Sequence, residues 1–420
     1  MAGRNGAVPD GWRTVRLEEV AHETNQRASA APQAEVFSVT KHSGFVRSLE
    51  YFDRQVFSRD TANYKVVRRG DLAYATIHLD EGSLGILRDT DIGLISPMYT
   101  VFEPDSSQVA SEYLLALMKL PQMVARYQRI GEGTVHRRRS ISFQRLGRLQ
   151  FTIPPLSEQR SILSVLDSID EAIERTEEVI AATERLRDAL LHELLTRGLP
   201  GRHSEWREVP GLGTIPASWE VVRLGEVCRE PIRNGFSPGA LEHPTGWWLL
   251  TLAAVSPSGF DAEAKKPAPL DARVEATRLF PGDLLVSRSN TNDRVGLAGV
   301  YRGLPQNCSY PDLLMRVRLD PARADVEVVE KILLSARGRT YFERHARGTS
   351  GSMVKITGDI LRSFPLALPP LPEQRAIAAA LRSIDAAIER ARAELAALQA
   401  SKASTADALL TGRVRVGALS

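Results

Sequence analysis

The heptapeptide Pro154-Pro155-Leu156-Ser157-Glu158-Gln159-Arg160 returns 215 residues later as Pro369-Pro370-Leu371-Pro372-Glu373-Gln374-Arg375. Continued without a gap to Arg175 and Arg390, the two stretches agree at 15 of 22 positions, where unrelated chains agree at roughly one in fifteen. Shorter echoes lie at similar offsets. WRTVRLEEV at 12–20 matches WEVVRLGEV at 219–227, and Ser43-Gly44-Phe45 matches Ser258-Gly259-Phe260. Gly70-Asp71-Leu72 and Gly133-Thr134 reappear as Gly282-Asp283-Leu284 and Gly348-Thr349. Self-similarity on this scale predicts a tandem duplication of about 210 residues, with a pseudo-twofold relation between its copies.

Each copy reads as a mixed globular part followed by a long helix. The globular stretches alternate short β-branched or aromatic runs with Gly, Pro, Asn and Asp, as over 64–77 and 279–301. Apolar residues at helical spacing predict helices over 111–129 and 326–345. The fold class is therefore α/β in the mixed α+β sense. The expected boundaries are a first globular domain at 1–153, a first long helix at 154–198 and a linker at 199–218 carrying Pro200, Pro210 and Pro216. A second domain at 219–368, a second helix at 369–412 and a tail at 413–420 complete the chain.

The helices carry a heptad seam. Ile162, Leu166, Ile169, Ile173, Thr176 and Ile180 alternate steps of four and three, and Ile377, Leu381, Ile384, Ile388, Ala391 and Leu395 keep the same register. Glu158 and Glu373 fall in the first turns, beside the positive end of the helix dipole, and Pro372 is tolerated there because its missing N–H has no intrahelical partner. Gly198 and Gly412 are the expected stops. An apolar seam needs a partner, and its duplicate in the same chain predicts an intramolecular antiparallel coiled coil. The alternative is two helices packed separately on their own domains. Arg187 and Lys402, at seam positions, weaken packing but penalise slipped pairings.

Composition narrows the function. The net charge is +3, from 54 Lys plus Arg against 51 Asp plus Glu, so any basic surface is local. Two cysteines, Cys228 and Cys308, make neither a disulfide framework nor a zinc site, which fits a reducing cytoplasm. No apolar run marks a signal peptide or a membrane span. Phosphate loops, dinucleotide fingerprints, HExxH and GxSxG are absent from the sequence. So are the Asn-Pro-Pro-Tyr and Asp-Pro-Pro-Tyr runs of adenine methyltransferases. The eight histidines show no metal-ligand spacing. What stands out is arginine. The stretch 126–148 holds seven against Glu132 alone, and 337–362 holds five with Lys355 against Glu343 and Asp359. Arginine suits bidentate contact with phosphate and with guanine edges, so two basic patches suggest two DNA contacts. Arginines paired with neighbouring carboxylates on a helix surface are the ordinary alternative.

With these features in view, the chain resembles the DNA specificity subunit of type I restriction-modification enzymes. The likeness rests on the doubled PPLxEQR helix starts at Pro154 and Pro369, the Gly-Asp-Leu strands at Gly70 and Gly282, and the openings at Trp12 and Trp219. It implies two target recognition domains, each reading half of a split double-stranded DNA site. Their helices serve as spacer and as docking site for two modification (methyltransferase) subunits, with restriction subunits as further partners. It implies no cofactor in this chain, S-adenosylmethionine and ATP with Mg²⁺ belonging to the partner subunits. Many members carry a Gly-rich turn and a lysine at the end of each recognition domain, which Gly348 to Lys355 fits; the first copy instead runs Gly133-Thr134-Val135-His136-Arg137-Arg138-Arg139.

The expected DNA contacts are Lys41, His42, Thr134, Arg137, Arg138 and Arg139 in the first domain. In the second they are Arg288, Ser289, Asn290, Thr349, Ser352 and Lys355. The chain is expected to be noncatalytic and cytoplasmic. The competing readings are a coiled-coil scaffold for proteins and a solitary enzyme.

Overall fold

A computed structural model describes residues 8–30, 33–52, 54–131, 140–239, 241–348 and 353–418. The chain divides into two units, 1–177 with 393–420 and 178–392, so each unit contains parts of both long helices, Leu156–Arg197 and Leu371–Leu410.

In the first unit, Arg13–Arg16 pairs antiparallel with Gln150–Ile153, the last strand before the first long helix. One four-stranded antiparallel sheet orders Ala21–Thr24, Tyr99–Pro104, Leu72–Ala75 and Leu84–Ile86. A second orders Gly44–Arg47, Val36–Thr40, Ile92–Ile95 and Lys65–Arg68, with one parallel pair between Val36–Thr40 and Ile92–Ile95. The second unit repeats the opening pair as Glu220–Arg223 with Pro365–Leu368. It builds a sheet from Arg233–Asn234, Leu314–Val317, Leu284–Ser287 and Ala298–Val300, and another from Lys265–Pro267, Trp248–Leu250 and Cys308–Ser309. The mixed α+β character expected from the sequence is what the structure contains.

Three expectations change in detail. The helix over 111–129 is two helices, Ser111–Met118 and Pro121–Ile130, because Pro121 lacks the N–H that a continuing helix needs and opens a new one instead. Its counterpart breaks into Val326–Leu334 and Ala336–His345 at Ser335, whose hydroxyl accepts from Gly338 N at 3.4 Å. The linker is not simply a spacer. Trp206–Val209 and Gly213–Pro216 form a hairpin, and Ile215 packs with Trp219 and Ala367.

The long helices pair antiparallel. In the first unit Ile162 and Leu166 share a core with Leu409 and Leu410; in the second Leu194 and Leu195 share one with Ile377, Ala378 and Leu381. Ile162, Leu166, Ile377, Leu381 and Ile388 are buried, while Ile169, Ile173, Ile180, Ile384 and Leu395 are half-buried. Both polar seam residues find acids on the opposite helix: Lys402 pairs with Asp170, and Arg187 lies 3.9 Å from Asp385. Gly198 and Gly412 end the helices with φ of +78° and +71°.

The repeated motif does the same work twice. Gln159 accepts from Ala110 N at 2.8 Å and donates to the carbonyls of Gln108 and Pro154 at 3.1 and 2.9 Å. Gln374 accepts from Asp325 N at 2.8 Å and donates to those of Arg323 and Pro369 at 3.2 and 2.8 Å. The two glutamates receive the chain leaving the other helix. Glu158 accepts from Arg415 at 2.6 and 2.8 Å and from Trp12 Nε1 at 3.2 Å. Glu373 accepts from His203 Nε2 at 2.7 Å and from Leu199 N at 3.1 Å.

The Gly-Asp-Leu strands differ in one electrostatic respect. Asp71 and Asp283 are both buried, and each accepts the backbone N–H three residues before it, at 2.8 Å. Asp283 also takes Arg318 at 2.6 and 3.1 Å, whereas the matching register position in the first unit is Glu103. Burial therefore pushes the Asp71 carboxyl up to about 6, with Glu103 adding to the rise. Because the folded state holds this proton more tightly than the unfolded chain, Asp71 costs stability as pH rises from about 4 to about 6. Urea unfolding of the wild type, measured relative to Asp71→Asn, is expected to show a difference that shrinks by about 2 kcal/mol across that window. In Glu103→Arg the change is smaller; a flat difference in the wild type contradicts the assignment.

Candidate nucleic-acid interface

In the second unit the buried strand Leu284–Ser287 runs out into Arg288, and Ser289–Asn290 pairs antiparallel with Val354–Lys355. Lys355 also bridges Arg347 on its other side, so three short backbone segments meet here. Strand alternation sets the side chains: Val354 and Ile356 are buried, while Lys355 between them is exposed. The Lys355 ammonium has no hydrogen bond or ion pair among the described residues. Arg288 is half-buried, its Nη1 donating to Asp312 O at 3.4 Å and its carbonyl accepting from Ile356 N at 2.9 Å. Asn290 is half-buried and uses Oδ1 to accept from Thr291 N. Beside them, Arg273 stacks over Phe236 at 4.1 Å, and Ser237 bonds Asp312. Arg288, Asn290 and Lys355 thus come together. Ser289 is completely buried, since the same alternation turns its hydroxyl inward, away from any ligand. Thr349 and Ser352 lie outside the described residues.

The first unit contains the same junction. Ile141 N donates to Thr76 O at 2.9 Å, as Ile356 N does to Arg288 O, so Thr76 and His78 occupy the places of Arg288 and Asn290. Neither Thr76 nor His78 is among the contacts expected from the sequence. Extending the match between the two Gly-Asp-Leu strands by six residues would have found them. Lys41 and His42 are exposed in the turn between Val36–Thr40 and Gly44–Arg47. Their counterpart in the repeat, Ser256-Pro257, leads into a turn whose Pro257 and Ser258 share a cavity with Asp385 and Glu389 of the second long helix. No hydrogen bond or ion pair among the described residues connects Lys41 or His42 to the Thr76 junction. Thr134, Arg137, Arg138 and Arg139 lie outside the described residues.

The arginine runs sort by geometry. Arg126 donates to Gln150 O at 3.2 Å and Arg145 to Ile130 O at 3.0 Å, so both brace the backbone. Arg339 holds the carbonyls of Val295 and Asp293 at 2.7 and 2.9 Å, and Arg362 pairs with Asp359. Arg337 is largely enclosed, and burial lowers its pKa. Arg129, Arg148, Arg344 and Arg347 remain exposed. Burial pushes the Cys228 and Cys308 thiols up to about 11 and about 12, so neither offers thiolate chemistry near neutral pH. The described residues hold no cluster of three metal-ligating side chains, and no helix among them is long and apolar enough to cross a membrane.

Paired units, each ending its globular part on a PPLxEQR helix start, are the arrangement on which comparison with known proteins bears. The family model for the type I restriction modification DNA specificity domain matches residues 9–185 and 340–399. The chain belongs to this family. The type I restriction enzyme MjaVIII specificity subunit of Methanocaldococcus jannaschii is 24% identical over 336 residues, covering 77% of this chain and 75% of the relative. The EcoKI specificity subunit of Escherichia coli K12 is 28% identical over 236 residues, covering 54% and 49%. The crystal structure of the HsdS subunit from Thermoanaerobacter tengcongensis shares the fold, with a TM-score of 0.54 at 21% identity over 99% of this chain and 100% of that one. As a specificity-domain protein, the chain has its recurrent junctions, Arg288–Ile356 and Thr76–Ile141, within its two globular parts.

Proposed function

We propose that this chain is the specificity subunit of a type I restriction-modification complex, arisen by tandem duplication, that reads a bipartite, asymmetric DNA site and directs adenine methylation and cleavage by partner subunits. The observation that carries the reading is the recurrence of one junction in two unlike chemical versions, Arg288–Asn290 beside Lys355 and Thr76–His78 beside Ile141, each in a unit that closes on the paired helices. Two heads of one design with different side chains suit two different half-sites. Exposed Lys and Arg supply affinity through phosphates, and side chains on base edges supply the sequence. The chain itself is noncatalytic. Two modification subunits bring S-adenosylmethionine, restriction subunits bring ATP and Mg²⁺, and the complex works in the cytoplasm.

The helices act as a ruler in this reading. Four residues inserted into both at matching levels add ~6 Å of rise, nearly two base pairs at ~3.4 Å each. Methylation mapping of a host carrying the altered gene is expected to show a longer unread gap between unchanged half-sites. An unchanged gap, or loss of both half-sites, counts against the ruler. An adenine motif that persists without the gene contradicts the function. If the chain were a protein scaffold instead, its affinity for DNA would not fall steeply with salt.

A further inference from the structure

The two PPLxEQR motifs bury Gln159 and Gln374 against matching partners and set Glu158 and Glu373 against the chain leaving the other helix, but Arg160 and Arg375 are exposed and have no hydrogen bond or ion pair among the described residues. In the second unit Arg375 faces a cavity of about 350 Å³ that Arg229 and Arg318 also line. Arg318 is already neutralised, by Asp283 at 2.6 Å and Glu230 at 3.1 Å. The acid on the rim, Asp325, is occupied as the cap of Val326–Leu334, accepting from Glu327 N at 3.0 Å and Val328 N at 3.3 Å. Arg229 is exposed and its guanidinium is likewise unpaired among the described residues. Two guanidiniums without an ion pair among the described residues, one from the bend after the bridge at Cys228 and one from the long helix, therefore line one opening, with Asp325 as the acid on its rim.

From this arrangement we infer that Arg229 and Arg375 form an anion pocket that takes a phosphodiester of the DNA backbone, a contact separate from the base-reading junction at Arg288 and Lys355. A phosphodiester spreads its charge over oxygens on a tetrahedral centre and accepts from two forks arriving from different directions, whereas one fork already satisfies a planar carboxylate. The counterparts in the first unit are His22, Glu103 and Arg160, so an acid stands where Arg318 stands and the pocket belongs to the second unit alone. The inference rests on the DNA-reading function proposed above.

The test is the salt dependence of binding by the full chain to a duplex carrying its mapped site and to a random duplex. Arg229→Ala with Arg375→Ala is expected to reduce the slope of log affinity against log salt by about 1 and to weaken both duplexes about tenfold, leaving the ratio between them unchanged. The double lysine variant, R229K with R375K, is expected to keep most of the slope, since it keeps the charge. An alanine pair with the wild-type slope overturns the pocket. So does a lysine pair that loses as much as the alanine pair, or an alanine pair that weakens only assembly with modification subunits. If the wild type itself shows no salt-dependent binding, the DNA reading fails rather than this site.

Discussion

Replacing Gln374 by leucine is expected to lower the stability of the second unit by about 4 kcal/mol, and Gln159→Leu to do the same in the first. Leucine is close in size, so little cavity is made. The cost is polar: the variant strands Asp325 N–H and the carbonyls of Arg323 and Pro369, which Gln374 satisfies from a site that is 1% exposed. Buried orphan groups cost about 1–3 kcal/mol each. Glutamate in place of glutamine retains the acceptor for the N–H but sets a buried carboxylate oxygen against both carbonyls, so Q374E should lose at least as much as Q374L. Urea unfolding followed by tryptophan fluorescence reports the second unit through Trp219, Trp247 and Trp248. A loss below about 1 kcal/mol in Q374L means the backbone rearranges to do without the amide.

The second large effect is expected at Gly198. Alanine there has to accept a φ of +78°, and its Cβ meets Glu373 Oε1 at 2.4 Å and His203 Nε2 at 2.7 Å. Left-handed backbone costs an alanine about 1 kcal/mol. Displacing a buried carboxylate from its imidazole adds about 2 kcal/mol, for about 3 in all. Gly201 supplies the internal control, having a φ of +73° with nothing within 4 Å of its Cβ position. G201A should therefore lose only the backbone part, about 1 kcal/mol. Equal losses in the two variants would show that the contact between the turn and Glu373 contributes nothing, and would remove the argument that the chain leaving one helix braces the start of the other.

The helix pair was legible because its signal is local and dense. Ile162 to Ile180 and Ile377 to Leu395 repeat at coiled-coil spacing, and the glycine stops sit where left-handed φ is needed. The interior of the globular parts was less so. Pro121 and Ser335 divide helices that apolar spacing reads as continuous, since the period survives a break that only the hydrogen-bonding pattern reveals. Lys41 and His42 lie in an exposed turn, and the junction that recurs in both units holds Thr76 and His78, whose side chains announce nothing by composition.

The sequence by itself determined that two stretches share the PPLxEQR motif and that each opens a seamed helix, because motif and period are properties of residue order. Only the tertiary structure decided between the antiparallel pair and separately packed helices, and which side chains meet across it, so that Glu158 takes Arg415 while Glu373 takes His203. It alone decided which arginines are spent on backbone carbonyls and which, like Arg229 and Arg375, are left facing solvent. Pairing across 170 or more residues depends on where the folded backbone brings two side chains, and separation along the chain carries no record of that distance.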